Sequence, residues 1–227
     1  ELELEVPQEG MTINYSYQIE QNGIVIRKEW DSFSRSIFLS GSSRKIYRIN
    51  DCWKNIPEQL YLYSSAFTEA LLAHPEKENI PQRYKKGLVI KAYAPRINKD
   101  YCLAICGNQK SLAHWDPEKA VLMSDTNFPE WQIELDASKL KYPLEYKFIL
   151  YNKQEKKADC WEKNPNRYLA DPELKTNETL VISDRYVYFD IPAWKGAGIA
   201  IPVFSLKSEK SFGVGDFGDL KRMVDWA

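Results

Sequence analysis

Displaced by 131 residues, the sequence matches itself without a gap. Leu2-Glu3-Leu4-Glu5 falls on Ile133-Glu134-Leu135-Asp136, Tyr15 on Tyr146, Tyr17 on Phe148 and Trp30 on Trp161. Aromatics that recur at a domain-sized offset indicate a duplicated module and exclude a short-repeat solenoid. The second copy is organised around Tyr142 to Arg167. There Leu144, Tyr146, Phe148 and Leu150 alternate with Glu145, Lys147 and Ile149, the period of a half-buried strand. A charged turn from Asn152 to Lys157 follows, and the return ends in Trp161-Glu162 and the turn-forming Asn164-Pro165-Asn166. The first residue corresponds to position 132 of the second copy, so the first copy is expected to be the C-terminal half of a module. Lys147 corresponds to Ser16, and Asn166 has no amide counterpart near Ser34 and Arg35.

Residues 1–50 read as strands, with Asn22-Gly23 as a hairpin marker. Residues 51–86 break that pattern and read as a linker with one helix, in which Phe67, Ala70, Leu71 and His74 share a face before Pro75. From 87 to 190 the β pattern resumes as seven or eight short strands, which predicts a β-sandwich. Residues 191–227 change character again. Gly198 to Phe204 is nearly all apolar, as in a strand buried on both faces. A Ser/Gly-rich loop then leads to Leu220, Met223, Val224 and Ala227 at helical spacing, with Asp216 or Asp219 at the start. This is a strand–loop–helix unit, the opening of an α/β domain.

Composition excludes several classes of function. Net charge is −1, so no basic field favours nucleic acid or an anionic membrane. No apolar run approaches the ~18 residues of a membrane span. Four Cys and two His contain no CxxC or HxxxH pair, so the thiols are expected to be reduced and no metal or cofactor is expected. Seven Trp and fourteen Tyr are many for this length. They suit β structure, and they equally suit flat platforms for a ligand.

Trp115 and Trp161 sit at turns among polar residues and Pro (HWDP, CWEKNPN), outside apolar runs. An indole can cover the C–H face of a sugar ring while Lys and Asn hydrogen-bond its hydroxyls. Each of these residues also has an ordinary structural reading: core for a Trp, a surface ion pair for Lys147, a turn former for Asn166.

The ordered elements SLAHWDPEKAVLMS, FPEWQIELD, LEYKFILYN and CWEKNPNR resemble the family 20 carbohydrate-binding module, the starch-binding domain. The resemblance implies an immunoglobulin-like β-sandwich in which Trp115, Lys147, Trp161, Glu162 and Asn166 form a first starch-binding site. Trp131 matches an aromatic of the family's second site, with Lys99 and Ser124 near the positions where the family has tyrosines. The first copy then resembles part of a similar module that keeps its Trp as Trp30, open to either glucan binding or packing.

The tail, AGIAIPVFSLKSEKSFGVGDFGDLKRMVDWA, resembles the opening of the TIM-type barrel of the 4-α-glucanotransferase family, glycoside hydrolase family 77. Tandem starch-binding modules before such a barrel resemble the arrangement of plant cytosolic members and their bacterial relatives. The implied fold is mainly β, with two sandwich modules, a helical linker and a first barrel β–α unit. The implied function is α-glucan binding (starch, glycogen, maltodextrin) in a cytoplasmic enzyme that transfers α-1,4-glucan segments with retention. Its catalytic carboxylates would lie beyond this chain, leaving Asp216, Asp219 and Asp225 to capping and solvation and Ser205, Phe212 and Gly213 as possible sugar contacts. A non-catalytic starch- or glycogen-binding adaptor is the alternative, and a purely structural sandwich a third reading.

Overall fold

The computed structural model describes residues 10–30, 32, 34–39, 45–72, 84–191, 195, 198 and 200–226. It divides into two compact units, Glu1–Ile191 and Pro192–Ala227. The expected strand at residues 1–6 and His74 lie outside the described residues.

The first unit is built of strands, and the chain is mainly β. Its N-terminal segment carries β1 (Met11–Tyr15), β2 (Gln18–Gln21), β3 (Ile24–Lys28), β4 (Arg35–Leu39) and β5 (Ile46–Asp51). Nine more follow: β6 (Gly87–Tyr93), β7 (Tyr101–Gly107), β8 (Val121–Leu122), β9 (Ser124–Asn127), β10 (Glu130–Asp136), β11 (Leu144–Asn152), β12 (Lys157–Trp161), β13 (Arg167–Leu169) and β14 (Glu178–Tyr186).

Two five-stranded sheets face each other. One has the order β5-β14-β6-β10-β9, the other β12-β11-β7-β8 with β13 also paired to β11. Alternation explains the core between them. Leu88, Ile90, Trp131, Ile133 and Leu180 point in from the first sheet, and Leu103, Ile105, Leu144, Tyr146, Phe148 and Leu150 from the second.

The N-terminal segment is not a separate layer of its own. Its β5 runs parallel to β14 as the edge strand of the first sheet. Its β4 lays Ile37 and Leu39 against Val89 and Val181 on that sheet's outer face. Strand β6 is therefore buried on both faces, and Lys91 on it is neutralised by Glu130 at 3.0 Å and donates to the Ser36 carbonyl at 2.5 Å.

The linker helix takes a different form from the expected one. Residues Leu60–Tyr63 and Ala66–Leu71 make two short helical turns, the second wide enough for Leu72 N–H to reach the Phe67 carbonyl. Ser64 breaks the run: its N–H bonds to Tyr61, and its carbonyl takes both the N–H and the hydroxyl of Thr68. Leu62 and Phe67 are buried as separate anchors, while Ala70 and Leu71 face outward.

In the second unit the expected buried strand at 198–204 is absent from its described residues. Ala200 to Pro202 are exposed coil and Val203–Ser205 is a single 3₁₀ turn, with Ile201 and Phe204 exposed. A strand of the parallel type needs neighbours for its N–H and C=O groups, and the described part of this unit offers none. The helix is present as α1 (Phe217–Trp226). Asp216 and Asp219 cap it reciprocally, each carboxylate accepting the other's N–H at 3.0 and 3.1 Å. Hydroxyls of Ser208 and Ser211, with Arg222, hold the Asp219 carboxyl well below the usual range.

Because β4 and β5 are part of the same packing as the sandwich, Ile37→Ala should lower one shared urea midpoint, costing about 2–5 kcal/mol. Two separate unfolding transitions across 10–191 would show that the segments fold independently.

Candidate functional site

Strand β11 supports the site on its outer face. Its inward side chains fill the core, which leaves Glu145, Lys147, Ile149 and Tyr151 pointing the other way. Register places Lys147 opposite Cys106 and Ile149 opposite Ala104 on β7. Ala104, Cys106 and Ile149 form a small fully buried cluster on that face, roofed by Ala113 and Ala120 from the loop at 108–120.

The loop is fixed at both ends. The Gln109 amide donates to the Lys141 carbonyl at 3.1 Å and accepts the Lys141 N–H at 2.9 Å, while Leu112 plugs the main core. Asp116 caps the turn Pro117–Lys119 through the Glu118 N–H at 3.2 Å. Between these anchors Ala113, His114 and Trp115 have φ of 63°, 49° and 62°. Three successive non-glycine residues in the left-handed region cost roughly 1–2 kcal/mol each. The strain curls the loop back on itself and brings Trp115 to Trp161, with ring centroids 6.1 Å apart and planes tilted by 47°.

Trp161 reaches this place through strand pairing: it sits opposite Ile149 at the end of β12 and is 37% exposed. Lys147 lies two positions along β11 on the same face, and among the described residues its ammonium has no carboxylate partner. Asn166 is exposed at the mouth of β13. The turn before it is tied down by Lys163 N–H to Tyr188 O at 2.7 Å and by the Asn164 amide to Tyr186 O at 3.1 Å.

Two expected site residues are elsewhere. Trp131 is fully buried in the core, edge-on to Phe128, with its indole N–H on the Ala94 carbonyl at 3.2 Å. It presents no face to a ligand. Glu162 is 2% exposed and turned inward. It accepts the Phe148 N–H at 2.8 Å and an ion pair from Arg167. Arg167 also pairs with Asp184 at 3.1 Å and lies 4.5 Å over the Phe148 ring, and Tyr146 donates to Asp184 at 2.7 Å. Glu162 therefore clamps the exit of β12 onto β11 and leaves Trp161, its neighbour, facing out.

The first copy contains the same clamp. Glu29 accepts the Tyr17 N–H at 3.2 Å and pairs with Arg35 at 3.0 Å. Arg35 pairs with Asp51 at 3.4 Å, and Tyr15 donates to Asp51 at 2.8 Å. The bulge falls at Ile19/Glu20 in one hairpin and at Leu150/Tyr151 in the other. This superposition corrects the ungapped match. The first hairpin turns through Asn22-Gly23 and the second through 153–156, so Glu29 corresponds to Glu162 and Lys28 to Trp161. Trp30 is not the counterpart of Trp161. It is buried at 9% exposure, edge-on to Tyr63 at 4.9 Å. The first copy thus keeps the clamp and has Ser16 and Lys28 where the second has Lys147 and Trp161.

Sequence reading missed Arg167, Asp184 and Tyr146. Part of their signal was available: Tyr15 already falls on Tyr146, and a two-residue gap in the hairpin turn aligns Glu29 with Glu162 and Asp51 with Asp184, while Arg35 reaches Arg167 only after a further one-residue shift.

The two clamps differ in electrostatics. Burial pushes the Glu162 carboxyl up against the opposing pull of Arg167, and one of its oxygens has no donor. Burial also acts to raise Glu29, but both Arg35 nitrogens and the N–H groups of Lys54 and Tyr17 outweigh it and hold the carboxyl low. Asp184 is raised by burial, with Arg167 opposing.

Residues 89–181 match the family model described as the starch binding domain. The chain as a whole is 27% identical over 237 residues to the 4-alpha-glucanotransferase DPE2 of Oryza sativa subsp. japonica, covering 96% of this chain and 24% of the relative. It thus spans about a quarter of that relative's length. Among solved structures, the family 20 module of a maltotetraose-forming amylase from Pseudomonas saccharophila is 18% identical, covering 43% of this chain and 99% of its own, with a TM-score of 0.35. A family 15 glucoamylase from Hypocrea jecorina is 21% identical over 45% of this chain and 17% of its own, with a TM-score of 0.37.

Two expectations follow for the starch binding domain. Arg167→Met leaves the buried Glu162 and Asp184 without a counter-charge and should cost about 3–5 kcal/mol by urea unfolding at neutral pH. Burial raises both carboxyls, so protonation relieves the uncompensated charge and the deficit should shrink as pH falls. Ala113→Gly removes a left-handed strain and should raise stability by about 1 kcal/mol in thermal melts.

Proposed function

We propose that this chain is the α-glucan-binding region of a 4-α-glucanotransferase, with Trp115 and Trp161 as its grip. The observation that carries the reading is the tilted Trp115–Trp161 pair on the sheet face that carries Lys147, whose side chain has no partner among the described residues. Flat apolar rings suit the C–H faces of consecutive glucosyl units. The Lys147 ammonium supplies donors, and the Asn166 amide both a donor and an acceptor, for the hydroxyls at the ring edge. The site is a shallow platform, which suits a polymer that must be held and released.

The match to the starch binding domain and the similarity to a 4-alpha-glucanotransferase over nearly the whole chain support the same parent activity. In this reading the parent moves α-1,4-glucan segments between cytoplasmic glucans with retention, using a nucleophilic carboxylate and an acid/base about 5 Å apart. Those carboxylates belong to the barrel, of which residues 191–227 are the start. The module at 87–190 delivers substrate to it. The segment at 1–50 braces the module, and residues 51–86 connect the two.

Calorimetric titration with β-cyclodextrin and maltoheptaose tests the site. Binding should be measurable, Trp161→Ala should weaken it by about tenfold or more, and Trp115→Ala/Trp161→Ala should abolish it. Unchanged affinity in the double variant rules the platform out. The chain alone should release no glucose from maltose in the presence of glycogen.

A further inference from the structure

Strand β13 places one more aromatic on the face that carries the platform. Arg167 turns inward to Glu162 and Asp184, and Leu169 packs on the core, so Tyr168 between them must point outward. It is 65% exposed. Register sets it opposite Glu145 on β11, just as Trp161 is set opposite Ile149. Glu145, Lys147 and Ile149 all lie on the outer face. Tyr168 and Trp161 therefore stand along the same edge of β11, four residues apart, or about 14 Å.

Glu145 lies level with Tyr168, and Lys147 lies midway along β11 toward the level of Trp161. Neither side chain has a hydrogen-bond or ion-pair partner among the described residues. A row with an indole pair at one end, a phenol ring at the other, and a free acceptor and donor along it has the form of a track. A ligand that uses its whole length presents apolar ring faces at intervals and hydroxyls between them. A disaccharide is too short to touch both ends.

We infer that Tyr168 and Glu145 form an additional subsite that extends the Trp115–Trp161 platform and selects longer α-1,4-glucan chains over short ones. This rests on the proposed glucan-binding function of that platform. Tyr168 stacks on a glucosyl unit several residues from the one held by Trp161, and Glu145 accepts a hydroxyl at the level of Tyr168.

The experiment is titration of the whole chain with maltose, maltotriose and maltoheptaose, for the native protein, Tyr168→Ala, Tyr168→Phe and Trp161→Ala. Far-ultraviolet dichroism and thermal melts check folding, which an exposed strand residue should leave intact. Tyr168→Ala should weaken maltoheptaose roughly fivefold and leave maltose and maltotriose unchanged, with Tyr168→Phe close to native. Trp161→Ala should weaken all three. Equal losses for every chain length in Tyr168→Ala, or no loss for any, overturn the subsite while leaving the platform standing. If the native protein binds none of the sugars, or Trp161→Ala changes nothing, the platform itself fails and the subsite with it.

Discussion

A guanidinium enclosed by two carboxylates and an aromatic ring holds each half of this molecule in shape. Arg167 pairs with Glu162 and Asp184 above the Phe148 ring; Arg35 does the same with Glu29 and Asp51 above Tyr17. Each arginine sits just after a hairpin and ties three separate strands together: the exit of the hairpin, the strand it returns along, and the last strand of its copy in chain order, β14 or β5. Removing the cation would strand two charges in a region with little water, so the ring of contacts stands or falls as a unit. In the second copy the clamp also sets the direction of Trp161. With Glu162 held inside, strand alternation leaves Trp161 no option but to face out.

The other half of the platform is made by a different device. Trp115 is delivered by a loop that accepts three left-handed residues in a row, held down by Gln109 and Leu112 on one side and Asp116 on the other. The stable part of the structure lies in the sheet, and the strained part lies where the proposed platform is made.

Duplication gave two hairpins with one clamp but different surfaces. In the second copy β7 covers the core edge of β11, and Phe148 and Leu150 are buried. In the first copy no described strand takes the place of β7, and the equivalent Tyr17 and Ile19 are 41% and 42% exposed. The first copy instead turns Ile37 and Leu39 onto the outer face of its partner's sheet and adds β5 to its edge. A sheet face that would otherwise meet water becomes an interface, and Lys91 and Glu130 are sealed beneath it as a pair.

The sequence by itself determined the period-2 strands, the hairpins, the duplication and the aromatic residues at turn positions, because these depend on neighbours a few residues apart. It marked Trp115, Lys147, Trp161 and Asn166, since polar context around a Trp is a local signal. It could not separate Trp131 and Glu162 from that group. Whether an indole or a carboxylate faces water depends on which strands lie beside and across from it, and only the pairing of β10 with β6, the pairing of β11 with β12 and β13, and the facing of the two sheets decided that. The ungapped repeat likewise matched Trp30 to Trp161, whereas ladder register matched Lys28 to it, because a shorter turn shifts every residue after it. The apolar run before α1 looked like a buried strand by composition alone, yet with no strand among the described residues of its unit to take its hydrogen bonds, Ala200 to Pro202 are exposed coil. Local chemistry chose the residues, and tertiary pairing chose which of them meet the solvent.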